Sequence, residues 1–99
     1  MNESPIQTPY RFRLYVTGDA QNSSFAISNL ALICKTYLPG RFETEVVDVF
    51  KEPRRALDDR VFMTPTLVTL APGNVHRIVG TLSDQKTVLL ALGLDGAAA

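Results

Sequence analysis

Few residues of this chain have a type and a spacing that could carry out chemistry. The sequence contains one cysteine, Cys34, and one histidine, His76. A redox pair needs two thiols, and a zinc site needs several cysteine or histidine ligands at characteristic spacings. His76 is predicted to lie on the surface of a strand. The sequence therefore predicts no thiol-disulfide centre, no metal site, no cofactor and no catalytic residue.

Cys34 lies in a segment with a helical pattern of apolar residues. Ile27, Leu30, Cys34 and Leu38 are spaced three or four residues apart, as on one face of a helix. Ala31 and Tyr37 lie beside them. Free cysteine is among the most buried residue types. We therefore expect this row to form the buried face of a helix, with Cys34 as a structural residue.

The remaining polar candidates also have structural interpretations. Asn22 or Ser23 could cap the first helix, and Ser83 could cap the last, by accepting a bond from a free backbone N–H. Asp48 stands between two valines and is predicted to be buried with a partner, such as an arginine or a backbone N–H. No phosphate-binding loop or nucleophile elbow occurs in the sequence.

The segment Thr64-Pro65-Thr66 precedes an apolar run that reads as a strand. Proline cannot donate to a ladder, so it is typical of a strand start or edge. Strands are predicted at 11–17, 43–50, 67–70 and 75–80, with Pro65 at the head of the third. Helices are predicted at 22–38 and 53–60, and a last helix follows a cap at Ser83. A turn at 72–74 should make the last two strands an antiparallel hairpin. The predicted fold is a single α/β domain of order βαβαββα, which is typical of thioredoxin-like proteins.

Composition excludes several classes of partner. The chain has 99 residues, of which 45% are hydrophobic and 20% charged, and ten basic residues balance ten acidic ones. A chain with no net charge has no overall field that would recruit nucleic acid or an anionic membrane. We expect a flexible arm at 1–9, one domain at 10–95, a short tail at 96–99 and a cytoplasmic location, because no signal segment is visible.

Five short motifs occur in order and at matched spacing. They resemble those of the circadian-clock KaiB family, and the similarity runs from Tyr10 to about Leu94. The motifs are Leu14-Tyr15-Val16-x-Gly18, Asn22-Ser23, Val47-Asp48-Val49, Thr64-Pro65-Thr66-Leu67 and Arg77-Ile78-Val79-Gly80-x-Leu82-Ser83. The resemblance implies a non-enzymatic regulator that binds the hexameric ATPase KaiC and modulates its phosphorylation cycle. It also implies a homo-oligomer, dimer or tetramer, in an alternative fold.

The resemblance also suggests which residues bind the partner. Carried over by position, these are Glu43 and Glu45 on the second strand and Arg60, which is expected near them at the end of the following helix. Arg54 of the same helix is a further candidate, from the basic cluster Lys51, Arg54, Arg55 and Arg60. The basic residues interleave with acids, so a self-paired helix face is the alternative interpretation. The family commonly has alanine and lysine in place of Glu43 and Glu45. Two acids there imply either an ATPase with compensating bases or a different partner, such as one in stress signalling.

In the alternative fold of the family, the C-terminal half changes its secondary structure. Pro65 and Pro72 flank the strand that would be remade. The family commonly reads Gly-Leu-Asp where this chain reads Ala91-Leu92-Gly93. Alanine supports a helix that glycine would weaken, and Gly93 can end it. We therefore expect this member to favour the thioredoxin-like form.

Two other functions stay open at this point. A thioredoxin-family oxidoreductase would need a low-pKa thiol at a helix N-terminus, where this chain has Asn22-Ser23-Ser24. A KaiB-like sensor domain of a histidine kinase would share the fold but would be joined to a kinase.

Overall fold

The computed structural model of the chain describes residues 9–94, which form a mixed α/β domain. The predicted order βαβαββα and the thioredoxin-like class are confirmed. Its elements are β1 (Tyr10–Val16), α1 (Gln21–Tyr37), β2 (Phe42–Asp48), α2 (Pro53–Asp58), β3 (Thr66–Ala71), β4 (His76–Val79) and α3 (Gln85–Ala91). Pro9 is exposed; the rest of the predicted arm and the predicted tail lie outside the described residues. No helix in the described range is long and apolar enough to cross a membrane.

The strand order of the sheet is β2-β1-β3-β4. The pair β1–β2 is parallel and is joined through α1, whereas β3 is antiparallel to both β1 and β4. The predicted hairpin of the last two strands is therefore confirmed. Since β1 and β2 run in the same direction, the loops that follow them open at the same end of the sheet, and β2 forms one edge.

Alternation along β1 divides the molecule into two cores, because successive side chains of a strand point to opposite faces. Phe12, Leu14 and Val16 face α1 and α3, while Tyr15 faces α2. The larger core comprises Phe12, Leu14, Val16, Ala26, Leu30, Ile33, Cys34, Leu38, Leu67, Leu82, Val88, Leu89, Leu92 and Leu94. The smaller core comprises Tyr15, Val47, Ala56, Val61 and Val68.

The buried face of α1 differs from the predicted one. Leu30 and Cys34 are buried as expected, but Ile33 belongs to the core, whereas Ile27 is 39% exposed and Ala31 is also exposed. The prediction for Ile27 and Ala31 was wrong because α1 does not close onto the edge strand β2 at these positions. There they line an open groove of about 340 Å³ between α1 and β2.

Two predicted helix caps were also wrong. Helix α1 begins at Gln21 without a side-chain cap, and Ser23 is buried inside it, where its Oγ accepts the N–H of Thr17 at 3.0 Å. The cap of α3 is Asp84, whose Oδ1 accepts the N–H of Thr87 at 3.3 Å. The cap is therefore one residue later than predicted, and Ser83 lies outside the capping position.

The C-terminus of α3 follows its prediction. Gly93 has a positive φ of 75°, a conformation that glycine adopts without the steric cost of a side chain. The N–H of Leu94 bonds to the carbonyl of Leu89 at 2.8 Å, and that of Gly93 bonds to Leu90 at 3.1 Å. These two bonds form a Schellman motif, so Gly93 ends the helix.

Candidate partner-binding surface

The structure gives Cys34 no chemical role. The residue is buried in the middle of α1, and burial raises the pKa of its thiol to about 11. A thiol that stays protonated at neutral pH is a poor nucleophile. His76 is half-buried on β4, with Nδ1 3.0 Å from the carbonyl of Asn74. Within residues 9–94, no cluster of histidine, cysteine and acidic residues could hold a metal ion.

Asp48 has the backbone partner that the sequence predicted. Its Oδ1 accepts the N–H of Phe50 at 2.9 Å, and the side chain is half-buried. This bond shapes the turn that leaves β2. Asp48 is therefore a structural residue at the end of that strand.

Glu43 and Glu45 share one face of β2, as expected from the alternation of a strand. The parallel register places them opposite Arg11 and Arg13 of β1. Glu43 lies 3.4 Å from Arg11, and both side chains are largely exposed. Glu45 lies 3.1 Å from Arg13. The two acids thus face two arginines of the neighbouring strand.

Glu45 also ties the sheet to α2. Its two carboxylate oxygens accept from the guanidinium of Arg55 at 2.7 and 2.8 Å, which is a bidentate pair. This hydrogen bonding from Arg55, with a smaller contribution from Arg13, lowers the pKa of Glu45 to about 2. Arg55 also contacts Glu52 at 3.3 Å.

A second group of contacts fixes the end of α2 through Asp59. Its carboxylate accepts from Arg13 Nη1 at 2.8 Å and from the hydroxyl of Tyr15, and its carbonyl accepts from Arg77 at 2.8 Å. Burial, and then the bond to Asp59, raise the pKa of Tyr15 to about 12. Burial alone would raise the pKa of Asp59, but the bonds from Tyr15 and Arg13 outweigh it and lower that pKa. We call Arg13, Tyr15, Glu45, Arg55 and Asp59 the α2 clamp.

The sequence reasoning missed the α2 clamp and misplaced one of its contacts. Arg60 was expected near Glu45, but Arg55 supplies the cation there. Helix α2 ends at Asp58, and Arg60 follows in a left-handed turn with φ of 58°, so it lies beyond the last helical turn. The signal that could have revealed the clamp is the matching alternation of arginines in β1 and acids in β2.

The basic residues of this region fall into two groups. Arg55 is paired with acids, as the self-paired interpretation predicts. Lys51, Arg54 and Arg60 are exposed and take part in no salt bridge among the described residues. The acids of the region are therefore largely engaged by Arg13 and Arg55, and three cations stay available to a partner.

Comparison with known proteins gives a consistent result. The KaiB domain family model matches residues 13–94. Circadian clock protein KaiB3 of Synechocystis is 38% identical over 83% of this chain and 80% of its own length. A circadian clock oscillator protein KaiB of Synechococcus is 42% identical over 92% of this chain and 82% of its own.

Solved structures extend the likeness of fold. The N-terminal domain of Synechococcus elongatus SasA superposes with a TM-score of 0.76 at 20% identity, covering 100% of this chain and 93% of that domain. The Drosophila thioredoxin Deadhead superposes with a TM-score of 0.69 at 15% identity, covering 85% of this chain and 80% of its own. At these identities the likeness shows the thioredoxin-like fold alone. The sequence matches decide the family, and the chain belongs to the KaiB family.

Proposed function

We propose that this KaiB-family chain is a non-enzymatic regulator that binds a KaiC-type hexameric ATPase and modulates its phosphorylation or ATPase cycle. The observation that carries the proposal is the family match over residues 13–94, which spans nearly the whole described domain. Relatives that are 38% and 42% identical are named as clock proteins. The setting is a circadian clock or a related signalling pathway, in the cytoplasm.

The chemistry of the chain supports binding over catalysis. A thioredoxin-family enzyme needs an accessible, low-pKa thiol. The thiol of Cys34 is buried and its pKa is raised to about 11. The start of α1 carries Asn22 and Ser23 where such an enzyme would carry its cysteines. Insulin reduction by dithiothreitol should therefore be no faster with the protein present, and an acceleration abolished by Cys34→Ser would contradict the proposal.

The proposed partner-binding residues are Glu43, Glu45, Arg54 and Arg60. Glu43, Arg54 and Arg60 are exposed and can be changed without breaking the α2 clamp. Glu45 has a double role, because its carboxylate also holds Arg55 and Arg13. Tests of binding should therefore use the first three residues, and Glu45 should serve as a test of stability.

We also propose that the chain shares the family's second fold and its oligomers. Pro65 and Pro72 flank β3, which that fold would remake. Ala91 is the last residue of α3, and Gly93 ends that helix. Both residues favour the helix that distinguishes the thioredoxin-like form, so the second fold should be the minor one.

The direct test is to mix the protein with the KaiC-type ATPase of its own organism in the presence of ATP. Co-elution with the hexamer and a changed rate of phosphate release are expected. Leu32→Gln, a change on the exposed side of α1, is a suitable control for non-specific apolar contact. Separate elution together with an unchanged rate would contradict the proposal.

A further inference from the structure

A small cavity lies at the end of the sheet where the loops after β1 and β2 open. It has a volume of about 190 Å³, and it is lined by Thr17, Val49, Ala56, Val61, Phe62, Met63 and Thr64. In open α/β sheets, ligands bind outside the carboxyl ends of parallel strands. This position is therefore the place where the fold itself provides a crevice.

Two apolar side chains of the cavity wall are largely exposed. Phe62 is 80% exposed and Met63 is 63% exposed, and neither belongs to the two cores. Phe50, which follows Val49, is 75% exposed, and Leu57, which follows Ala56, is 65% exposed. Aromatic residues and methionine are enriched in the buried centres of protein interfaces. These side chains lie outside the two cores and are accessible to a partner.

The polar groups of the cavity are already satisfied. The hydroxyls of Thr17 and Thr64 bond to each other, and the carbonyl of Met63 accepts from Thr66 at 2.7 Å. No unpartnered buried polar side-chain atom of the described residues belongs to the cavity lining. The described lining therefore offers a polar ligand few groups that could hold it, chiefly the second hydroxyl hydrogen of the threonine pair. The volume is also below the roughly 300 Å³ at which small-molecule pockets begin, so it suits one apolar side chain.

The charges around the cavity indicate which residues of a partner should stand beside an apolar side chain that enters it. In sequence, Lys51 follows Phe50 and Arg60 stands two residues before Phe62. Neither is in a salt bridge among the described residues. Arg54 on α2 is equally available, whereas Glu52 and Asp59 are bound by Arg55 and Arg13. Asp58 is exposed and offsets only part of this charge. Complementary charge on a partner steers the encounter and suppresses wrong partners.

We propose that this cavity receives one large apolar side chain from a protein segment that carries acidic residues beside it. The inference rests on the proposed function to the extent that the protein works by binding another protein. The cavity would be a second contact area, beside the one formed by the charged residues of β2 and α2. Phe62 and Met63 are its apolar anchors, and Lys51 and Arg60 are its charged rim.

The first test uses a synthetic peptide in place of the partner. Isotope-labelled protein is titrated with acetyl-Asp-Glu-Phe-Leu-Asp-Glu-amide and with an analogue in which lysines replace the four acids. We expect saturable amide shifts at Thr17, Val49, Phe62 and Thr64, with at least about fivefold weaker binding of the lysine analogue. Shifts that are absent, scattered over the surface or equal for both peptides would overturn the proposal.

The second test uses variants that should not unfold, because the altered side chains are exposed. Phe62→Gln should weaken both peptide binding and ATPase binding by at least about tenfold, as truncated interface anchors do. Met63→Gln should act in the same direction, and Leu32→Gln should stay within about twofold of wild type. If wild-type protein binds and the Phe62→Gln variant binds with the same affinity, the inference is overturned. If wild-type protein does not bind the ATPase, the proposed function fails, and the peptide titration alone decides this inference.

Discussion

The two sides of the sheet are held together by different interactions. On the α1 and α3 side, the 14 residues of the larger core are buried against each other. On the α2 side, five of residues 9–94 form the smaller core, and α2 itself has six residues. A helix that short buries little apolar surface, so the ion pairs and hydrogen bonds of the α2 clamp hold it in place.

This difference determines what each side offers to a partner. The arginines of the clamp engage Glu45, Glu52 and Asp59. Lys51, Arg54 and Arg60 stay on the surface. The same side exposes Phe62 and Met63. Binding segments are commonly drawn from the less stable parts of a protein. The side with the smaller apolar core is therefore also the side that we propose to bind.

The largest expected effect comes from matched changes in the two cores. Val16 and Val68 are both buried on central strands. Val16 belongs to the larger core and Val68 to the smaller one. Val16→Ala should cost about 2–3 kcal/mol, because two packed helices restrict collapse around the cavity. Val68→Ala should cost about 1–2 kcal/mol, since α2 can shift to fill the space. Urea unfolding measures both, and a larger loss for Val68→Ala would reverse the comparison.

Removing one hydroxyl tests the α2 clamp. Tyr15→Phe should cost about 1–2 kcal/mol, because it removes the hydrogen bond that the Tyr15 hydroxyl donates to the partly buried Asp59 carboxylate. Tyr37→Phe is the control, since the Tyr37 hydroxyl has no hydrogen bond within the described residues.

The pH dependence gives a second measure of the same residue. The pKa of Tyr15 is about 12 when folded and about 10 when unfolded. Its stabilisation should therefore be present below pH ~10 and be lost as pH rises towards ~12. The alkaline decline in unfolding free energy should be smaller in Tyr15→Phe than in Tyr37→Phe. Identical curves would show that Tyr15 is not coupled to the clamp.

A smaller effect is expected at the end of α3. Ala91→Gly should cost up to about 1 kcal/mol through lost helix propensity, and so should Ala31→Gly on the exposed side of α1. If the second fold is accessible, only Ala91→Gly should change the elution volume and the amide spectrum. The same response from both variants would contradict a special role for Ala91 in fold switching.

The smallest effect concerns acid stability. Glu45 has a pKa of about 2 when folded and about 4.3 when unfolded. Its stabilisation should be present above pH ~4.3 and be lost as pH falls towards ~2. Because the side chain is half-exposed, solvent screening should keep this contribution below about 1 kcal/mol. Thermal melts at pH 2.5–6 should show a shallower acid decline for Glu45→Gln than for Glu43→Gln, and equal declines would argue against the bidentate pair.

Much of the fold could be predicted because its signals are local. The strand predicted at 11–17 and the helix predicted from residue 53 match β1 and the start of α2 to within one residue. The face of α1 was predicted less well, because Ile27 fits the helical pattern but lines an open groove between α1 and β2. That outcome depends on the position of β2, which local periodicity does not contain.

The candidate site shows the same limit. Sequence position singled out Glu43, Glu45, Arg54 and Arg60, but it could not decide which charges are paired. Pairing depends on the parallel register of β1 and β2, which sets Arg13 opposite Glu45. It also depends on the length of α2, which brings Arg55 rather than Arg60 to that acid. Three-dimensional contacts were therefore needed to separate the clamp from the free charges.

The most direct test of the central claim compares one cation on each side of the sheet. Arg60 and Lys35 are both exposed, and neither is in a salt bridge among the described residues. The affinity for the KaiC-type ATPase should be measured for wild type, Arg60→Glu and Lys35→Glu at low and high salt, with thermal melts of each protein. We expect Arg60→Glu to weaken binding by about tenfold at low salt and less at high salt, and Lys35→Glu to stay within about twofold. Equal affinities for the two variants, or no binding by wild type, would contradict binding through the α2 side.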